Sequence, residues 1–86
     1  MPYHLDYTPA AAKAIERLPR ALQRRVLVRL ELLTVDPRSP GTIKLTGQDA
    51  YRIRIGDYRV IYAIEDRRLV VLVVDVGHRR EIYRRP

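Results

Sequence analysis

The sequence predicts an α+β fold in which two N-terminal helices pack on one face of a mainly antiparallel sheet, in the order β-α-α-β-β-β. Three observations predict it. The first part of the chain has apolar residues at helical spacing, the second part has short alternating or continuous apolar segments, and Gly or Pro separates the segments. The chain has 86 residues, 47% of them hydrophobic, which is enough to form a single domain, residues 1–86, with one modest core.

The N-terminal segment predicts a strand followed directly by a helix. In "YHLDY", Tyr3, Leu5 and Tyr7 alternate with polar residues, which is the pattern of a half-buried strand. Thr8 is a suitable N-cap residue, and Pro9 follows at the first helical position, where a missing N–H costs nothing. We therefore expect the first helix to begin at Pro9.

A second helix is predicted to begin at Arg20, with Arg24, Arg25 and Arg29 on its polar flank. Asp36-Pro37 ends this helix, because the residue before a proline avoids the helical region. Each helix carries one apolar stripe. The stripes consist of Ala11, Ala14, Ile15 and Leu18 in the first helix, and of Leu22, Val26, Leu30 and Leu33 in the second.

The remainder of the chain predicts β structure. Segments 50–55 and 58–65 flank Gly56-Asp57, a two-residue hairpin signal with glycine first. Residues 66–68 predict a second turn. The run "LVVLVVDV", residues 69–76, is almost continuously apolar, which predicts a central strand that is covered on both faces.

Charge is the most informative feature of the composition. Seventeen Lys and Arg residues against ten Asp and Glu give a net charge of +7, and only Lys13 and Lys44 are lysines. Arginine suits planar, bidentate contact with phosphate or carboxylate, although codon usage in a GC-rich genome explains an Arg excess equally well. Codon usage does not explain why the arginines cluster.

Several classes of function are excluded or disfavoured. There is no cysteine, and the two histidines are too few for a His-built zinc site, so we expect no metal and no cofactor. No apolar run approaches the roughly 18 residues that span a bilayer, and the N-terminus lacks the features of a signal peptide. The expected location is cytoplasmic, without membrane contact.

The predicted hairpin concentrates like charges on one side of the sheet. With a two-residue turn, Arg54 opposes Arg59, and alternation puts Arg52 on the same side, while Ile53 and Ile55 face the helices. We call the Arg52, Arg54 and Arg59 side the arginine face, and we expect it to be uncovered. Directly opposed like charges cost about 0.2–1 kcal/mol, so the arrangement favours an anion-binding site over a merely solvated surface.

Three stretches carry a resemblance to a known family: "IKLTG", "YRIRIGDYRVIY" and "VVDVGHRREIYR". In this order and spacing the chain resembles the RelE/ParE superfamily of type II toxin–antitoxin toxins, over nearly its whole length. The resemblance implies a RelE-like, microbial RNase-type fold. It also implies metal-independent cleavage of mRNA in the ribosomal A site, which leaves a 2′,3′-cyclic phosphate.

The resemblance also implies site residues. The implied catalytic residues are Arg52, Arg54, Arg59, Arg79 and Tyr83. Further RNA contacts are expected from Lys44, His78, Arg80 and Arg84. The best-known RelE pattern has lysines at the first two positions, whereas arginine cannot serve as a proton acceptor. For Tyr83, a role as base, as a stacking platform for a nucleobase, or as a core residue remains open.

The implied partners are a cognate antitoxin, which forms a hetero-oligomer with the toxin, and mRNA on the ribosome together with ribosomal RNA. One alternative is a ParE-like toxin that inhibits DNA gyrase by protein binding, without cutting RNA. The other is a non-catalytic RNA- or ribosome-binding module, for which salt-sensitive RNA binding without cleavage is expected.

Overall fold

The computed structural model describes residues 2–47 and 49–78, which form two helices and a five-stranded sheet. The elements are β1 (His4–Tyr7), α1 (Pro9–Glu16), α2 (Arg20–Val35), β2 (Ile43–Lys44), β3 (Ala50–Ile55), β4 (Tyr58–Glu65) and β5 (Val70–His78). The strand order is β1-β5-β4-β3-β2; β1 runs parallel to β5 and the other pairs are antiparallel. The predicted fold class is confirmed, with the two-residue edge strand β2 as an unpredicted addition.

The start of α1 and the end of α2 lie where the local sequence predicts, but α1 ends at Glu16, so Leu18 of the predicted stripe packs against the core from the segment after the helix. The Thr8 hydroxyl accepts a hydrogen bond of 3.1 Å from the Ala11 amide, and Pro9 occupies the first turn of α1. This bond satisfies one of the donors that a helix N-terminus leaves without an intrahelical acceptor. α2 ends at Val35, immediately before Asp36-Pro37, as expected from the restriction that proline imposes.

The core lies between the helices and the sheet. The predicted stripes supply Ala11 and Ile15 from α1, and Val26, Leu30 and Leu33 from α2. The sheet contributes Ile53, Ile55, Val60, Tyr62, Val71, Val73 and Val76. Tyr62 is fully buried and its hydroxyl donates to the Pro37 carbonyl at 2.7 Å, while burial raises the pKa of this phenol to about 12.

The β3–β4 hairpin has the predicted register. Ile55 pairs with Tyr58, Arg54 with Arg59, and Arg52 with Ile61. Gly56 takes a φ of +59° in the turn, a conformation that side-chain-bearing residues rarely adopt. The glycine therefore secures the pairing on which the arginine face depends.

Strand β5 differs from its prediction. Covered faces on both sides were expected, but Val71, Val73 and Val76 are buried whereas Leu72 and Val74 are only half-buried. The register with β4 jumps from Ile61–Asp75 to Tyr62–Val73, which leaves Val74 as an extra residue in a β-bulge. A continuous apolar run has no alternation that could reveal such a bulge from the sequence.

Two further properties concern the described residues alone. None of the helices in residues 2–47 and 49–78 is long and apolar enough to cross a bilayer. Within the same residues, no three His, Asp or Glu side chains are grouped as ligands for a metal ion.

Candidate functional site

The arginine face occupies two neighbouring rows of paired residues at the hairpin end of the sheet. The first row is formed by Arg54, Arg59 and Gly77, and the second by Ile43, Arg52, Ile61 and Asp75. Directly paired residues share a face of the sheet, so three guanidinium groups belong to one small surface. The grouping predicted from the hairpin is therefore present in the fold.

Burial differs among the three arginines. Arg54 is exposed and Arg52 is half-buried, but Arg59 is only 5% exposed. The expectation that the whole face is uncovered is thus wrong at Arg59. The residue opposite is Gly77, whose missing side chain leaves room for a long side chain to lie against the sheet. A cation that is removed from water to this extent requires compensating charge or hydrogen bonds.

Asp75 is a polar residue of this surface that the sequence-based site prediction missed. It is half-buried, and its carboxylate accepts a hydrogen bond of 2.9 Å from the Val76 amide. It is the single charged residue within the apolar run of β5, which is the signal that could have drawn attention to it. Its place on the arginine face follows from the bulge at Val74.

The basic surface continues from the hairpin onto α2 through a groove of about 460 Å³. The groove is lined by four arginines, Arg24, Arg25, Arg29 and Arg54, and by the apolar residues Val28, Leu32 and Ile55. Arg29 is partly held in place, since it donates to Ser39 Oγ at 3.4 Å and to the Pro40 carbonyl at 3.2 Å. Arg54 therefore belongs both to the arginine face and to the groove.

An exposed apolar stripe of α2 lines part of this groove and extends beyond it. Val28, Leu32 and Val35 are 62%, 56% and 75% exposed, at the i, i+4, i+7 spacing of one helix face. Exposed apolar side chains that form a contiguous stripe, unlike scattered ones, indicate a surface for a partner. We call Val28, Leu32 and Val35 the α2 stripe.

Two further predicted site residues, Lys44 and His78, do not lie on the arginine face. Lys44 pairs with Tyr51, so it takes the opposite face of the sheet. His78 pairs with Tyr58, and their ring centroids are 5.6 Å apart in an edge-to-face contact. The predicted residues Arg79, Arg80, Tyr83 and Arg84 lie outside the described residues.

A group of polar residues around one arginine, Arg38, lies at the opposite end of the sheet. Arg38 donates to both oxygens of Asp66, at 3.1 and 2.9 Å, and to the Tyr51 hydroxyl at 3.2 Å. The Tyr3 hydroxyl also donates to Asp66, at 2.7 Å. The hydrogen bonds from Arg38 and Tyr3 lower the pKa of the Asp66 carboxyl, and the bond to Asp66 raises the pKa of Tyr3. We call these four residues the Arg38 cluster.

The chain matches a known protein family over most of its length. Residues 5–83 match the family described as ParE toxin of type II toxin–antitoxin system, parDE. Toxin RelG of Mycobacterium tuberculosis is 32% identical over 87 residues, which cover 99% of this chain and 100% of that protein. The mRNA interferase toxin RelE of Escherichia coli is 32% identical and aligns over 96% of this chain and 92% of its own length.

A solved structure agrees with these sequence matches. The intact RelBE toxin–antitoxin complex of Escherichia coli contains a chain that superposes with a TM-score of 0.80 at 30% identity. The match covers 88% of this chain and 95% of that one. The arginine-rich hairpin thus lies in a fold shared with RelE, and the chain belongs to the ParE toxin family of type II toxin–antitoxin systems.

Proposed function

We propose that this chain is a toxin that cleaves mRNA in the ribosomal A site and thereby inhibits translation. The observation that carries the proposal is the arginine face, where Arg52, Arg54 and Arg59 share two rows of one sheet surface. Proteins similar to this chain are named mRNA interferases, which agrees with a site built for a phosphodiester. Its expected place of action is the cytoplasm, where mRNA is translated.

The arginines suit the charge that develops during RNA cleavage. In transesterification the 2′-oxygen forms a bond to phosphorus while the bond to the 5′-oxygen breaks, so the products are a 2′,3′-cyclic phosphate and a 5′-hydroxyl. Negative charge accumulates on the phosphorane oxygens between these events. Guanidinium groups donate two parallel hydrogen bonds to such oxygens, and we assign this role to Arg54 and Arg59.

Proton transfer needs another group, because arginine stays protonated throughout the physiological range. The 2′-hydroxyl must lose a proton and the leaving 5′-oxygen must gain one. Tyr83 and Arg79 complete the proposed site, with Tyr83 as base or as stacking platform. The ribosome aligns the substrate, which lowers the demand on any single proton acceptor in the protein.

The proposed protein partner is a cognate antitoxin. The α2 stripe offers apolar contacts at helical spacing, and the groove that Val28 and Leu32 line also contains four arginines. An acidic, amphipathic helix matches both features. Because Arg54 lines the groove as well, a helix bound there also covers part of the arginine face, which links antitoxin binding to inhibition.

A second candidate is gyrase inhibition by protein binding. The description of the matched family, a ParE toxin, favours it. In that case the arginine face contacts protein rather than RNA, and the chain arrests growth without producing new mRNA ends.

The test maps mRNA 5′ ends by primer extension on programmed ribosomes, with the chain added in purified form. We expect new ends within the A-site codon, and we expect an Arg54→Gln, Arg59→Gln double variant to abolish them. The matched control is Arg67→Gln, Arg68→Gln, which removes the same charge from the exposed turn after β4. Equal activity of the two double variants, or growth arrest without new ends, would contradict the nuclease proposal.

A further inference from the structure

We propose that Asp75 positions the guanidinium group of Arg59, and that the β-bulge at Val74 places Asp75 on the arginine face. The catalytic consequence rests on the proposed function, because it concerns how Arg59 meets a phosphate. The placement of Asp75 itself rests only on the geometry of the sheet.

The bulge determines which face Asp75 takes. Val71 and Val73 are buried against the helices, so regular alternation would direct residue 75 to the same apolar side. The extra residue Val74 reverses the alternation, after which Val76 is buried, only 3% exposed, and Asp75 pairs with Ile61 on the arginine face. Without the bulge a carboxylate would enter the core, which is strongly unfavourable.

Thr8 holds the bulge in place. Its hydroxyl donates to the Val74 carbonyl at 2.7 Å, and its amide donates to the Val73 carbonyl at 2.9 Å. The same hydroxyl oxygen accepts the amide of Ala11 and so caps α1. One side chain therefore couples the start of the first helix to the irregular point of β5.

Asp75 is the nearest carboxylate to Arg59 in the register of the sheet. Arg59 pairs with Gly77, which makes Asp75 its diagonal neighbour on β5. Diagonal neighbours lie about 7–8 Å apart, within reach of a long side chain. Among the described residues, the other acids in or next to these strands are Asp57, in the exposed hairpin turn, Glu65, which forms an ion pair of 3.1 Å with Arg68, and Asp66, which binds Arg38. Asp6 of β1 pairs with Leu72, further along β5 from the hairpin end.

The burial of Arg59 makes a carboxylate within its reach important. Arg59 is 5% exposed, so its charge depends on partners within the protein more than the charge of the exposed Arg54 does. A carboxylate that binds one side of a rigid, planar guanidinium fixes the direction of the remaining N–H donors. We infer that Asp75 holds the Arg59 guanidinium in the orientation that meets the phosphorane.

The first test measures the placement without any activity assay. Arginine Nε–H groups give resolvable signals in ¹⁵N-correlated NMR spectra, and the Arg59 signal is assigned by its loss in Arg59→Lys. In the unaltered protein we expect a nuclear Overhauser effect between the guanidinium protons of Arg59 and the Asp75 Hβ protons. Asp75→Asn should shift the Arg59 signal and accelerate its exchange with water, whereas Glu65→Gln on the same face should leave it unchanged.

The second test separates binding from chemistry on programmed ribosomes. Asp75→Asn is expected to lower the single-turnover cleavage rate constant by about 10- to 100-fold, since a small misplacement of a catalytic group has effects of this order. RNA association should stay equal or tighten, because the variant removes a negative charge from a cationic surface. We expect Asp75→Glu to restore part of the rate and Glu65→Gln to match the unaltered protein.

The outcomes are distinguishable from those of the proposed function. An absent Overhauser contact, or an Arg59 signal indifferent to Asp75→Asn, would overturn the placement whether or not RNA is cut. A shifted signal with an unchanged cleavage rate constant would overturn the positioning role. If the unaltered protein cuts no RNA, the proposed function fails, while the NMR measurement still decides whether Asp75 orients Arg59.

Discussion

The two ends of the sheet use arginine in different ways. In the Arg38 cluster, one guanidinium meets one carboxylate in two hydrogen bonds, and two tyrosines complete the group. At the hairpin end, Arg52, Arg54 and Arg59 share two rows with a single carboxylate, Asp75. The first end is balanced in charge, whereas the second has an excess of positive charge.

We interpret this difference as a distinction between a structural arginine and the arginines of the proposed site. The Arg38 cluster joins the N-terminal segment, the loop after α2, strand β3 and the turn after β4, so its contacts serve the fold. Like charges that face each other, as Arg54 and Arg59 do, destabilise a strand pair. Such a cost is understandable where an anionic partner neutralises the surface.

The largest expected effect is a difference in cleavage between arginine-to-lysine changes at the two ends of the sheet. Arg59→Lys should lower the single-turnover cleavage rate constant by about 10²–10³-fold, because lysine keeps the charge but loses the planar, bidentate geometry. Arg38→Lys, the matched change in the Arg38 cluster, should leave the rate constant unchanged and lower the Tm. An equal loss of cleavage in both variants would contradict the distinction between the two ends of the sheet. Cleavage is measured on programmed ribosomes, and the Tm is measured by thermal unfolding.

A smaller effect is expected at Thr8, which fixes the bulge between the two halves of β5. Thr8→Val keeps the shape but removes the hydroxyl that caps α1 and donates to Val74. We expect a loss of about 1–2 kcal/mol in the free energy of unfolding, measured by denaturant titration. Thr8→Ser retains the hydroxyl and should be close to neutral, so an equal loss in both variants would contradict the hydrogen-bonding role.

The smallest expected effect concerns the acid stability of the Arg38 cluster. The folded state lowers the pKa of Asp66, so its ionised form stabilises the protein above the ordinary carboxyl range. This contribution disappears as the pH falls through the lowered pKa. Asp66→Asn should therefore reduce the Tm slightly at neutral pH and flatten its dependence below about pH 4.

The matched control for that measurement is Asp57→Asn in the exposed hairpin turn. Its Tm curve should run parallel to that of the unaltered protein throughout the acid range. A Tm curve for Asp66→Asn that also runs parallel would show that the cluster does not contribute to acid stability.

Local signals were sufficient for most of the fold and for part of the site. The capping pattern at Thr8-Pro9, the break at Asp36-Pro37 and the glycine of the hairpin turn each act within a few residues, so their consequences were predictable. The grouping of Arg52, Arg54 and Arg59 followed from the same turn. The edge strand β2 was missed because two residues are too few for any periodicity.

Local patterns in the sequence were enough to define the helices, the hairpin and the face on which the arginines lie. How deeply each arginine is buried, and which residues lie beside it, depends on the assembled fold. Asp75 reaches that face because a bulge at Val74, bonded to Thr8 from a distant segment, reverses the alternation of β5. Alternation is a local property, but a bulge within a uniformly apolar strand depends on partners that only the assembled sheet supplies.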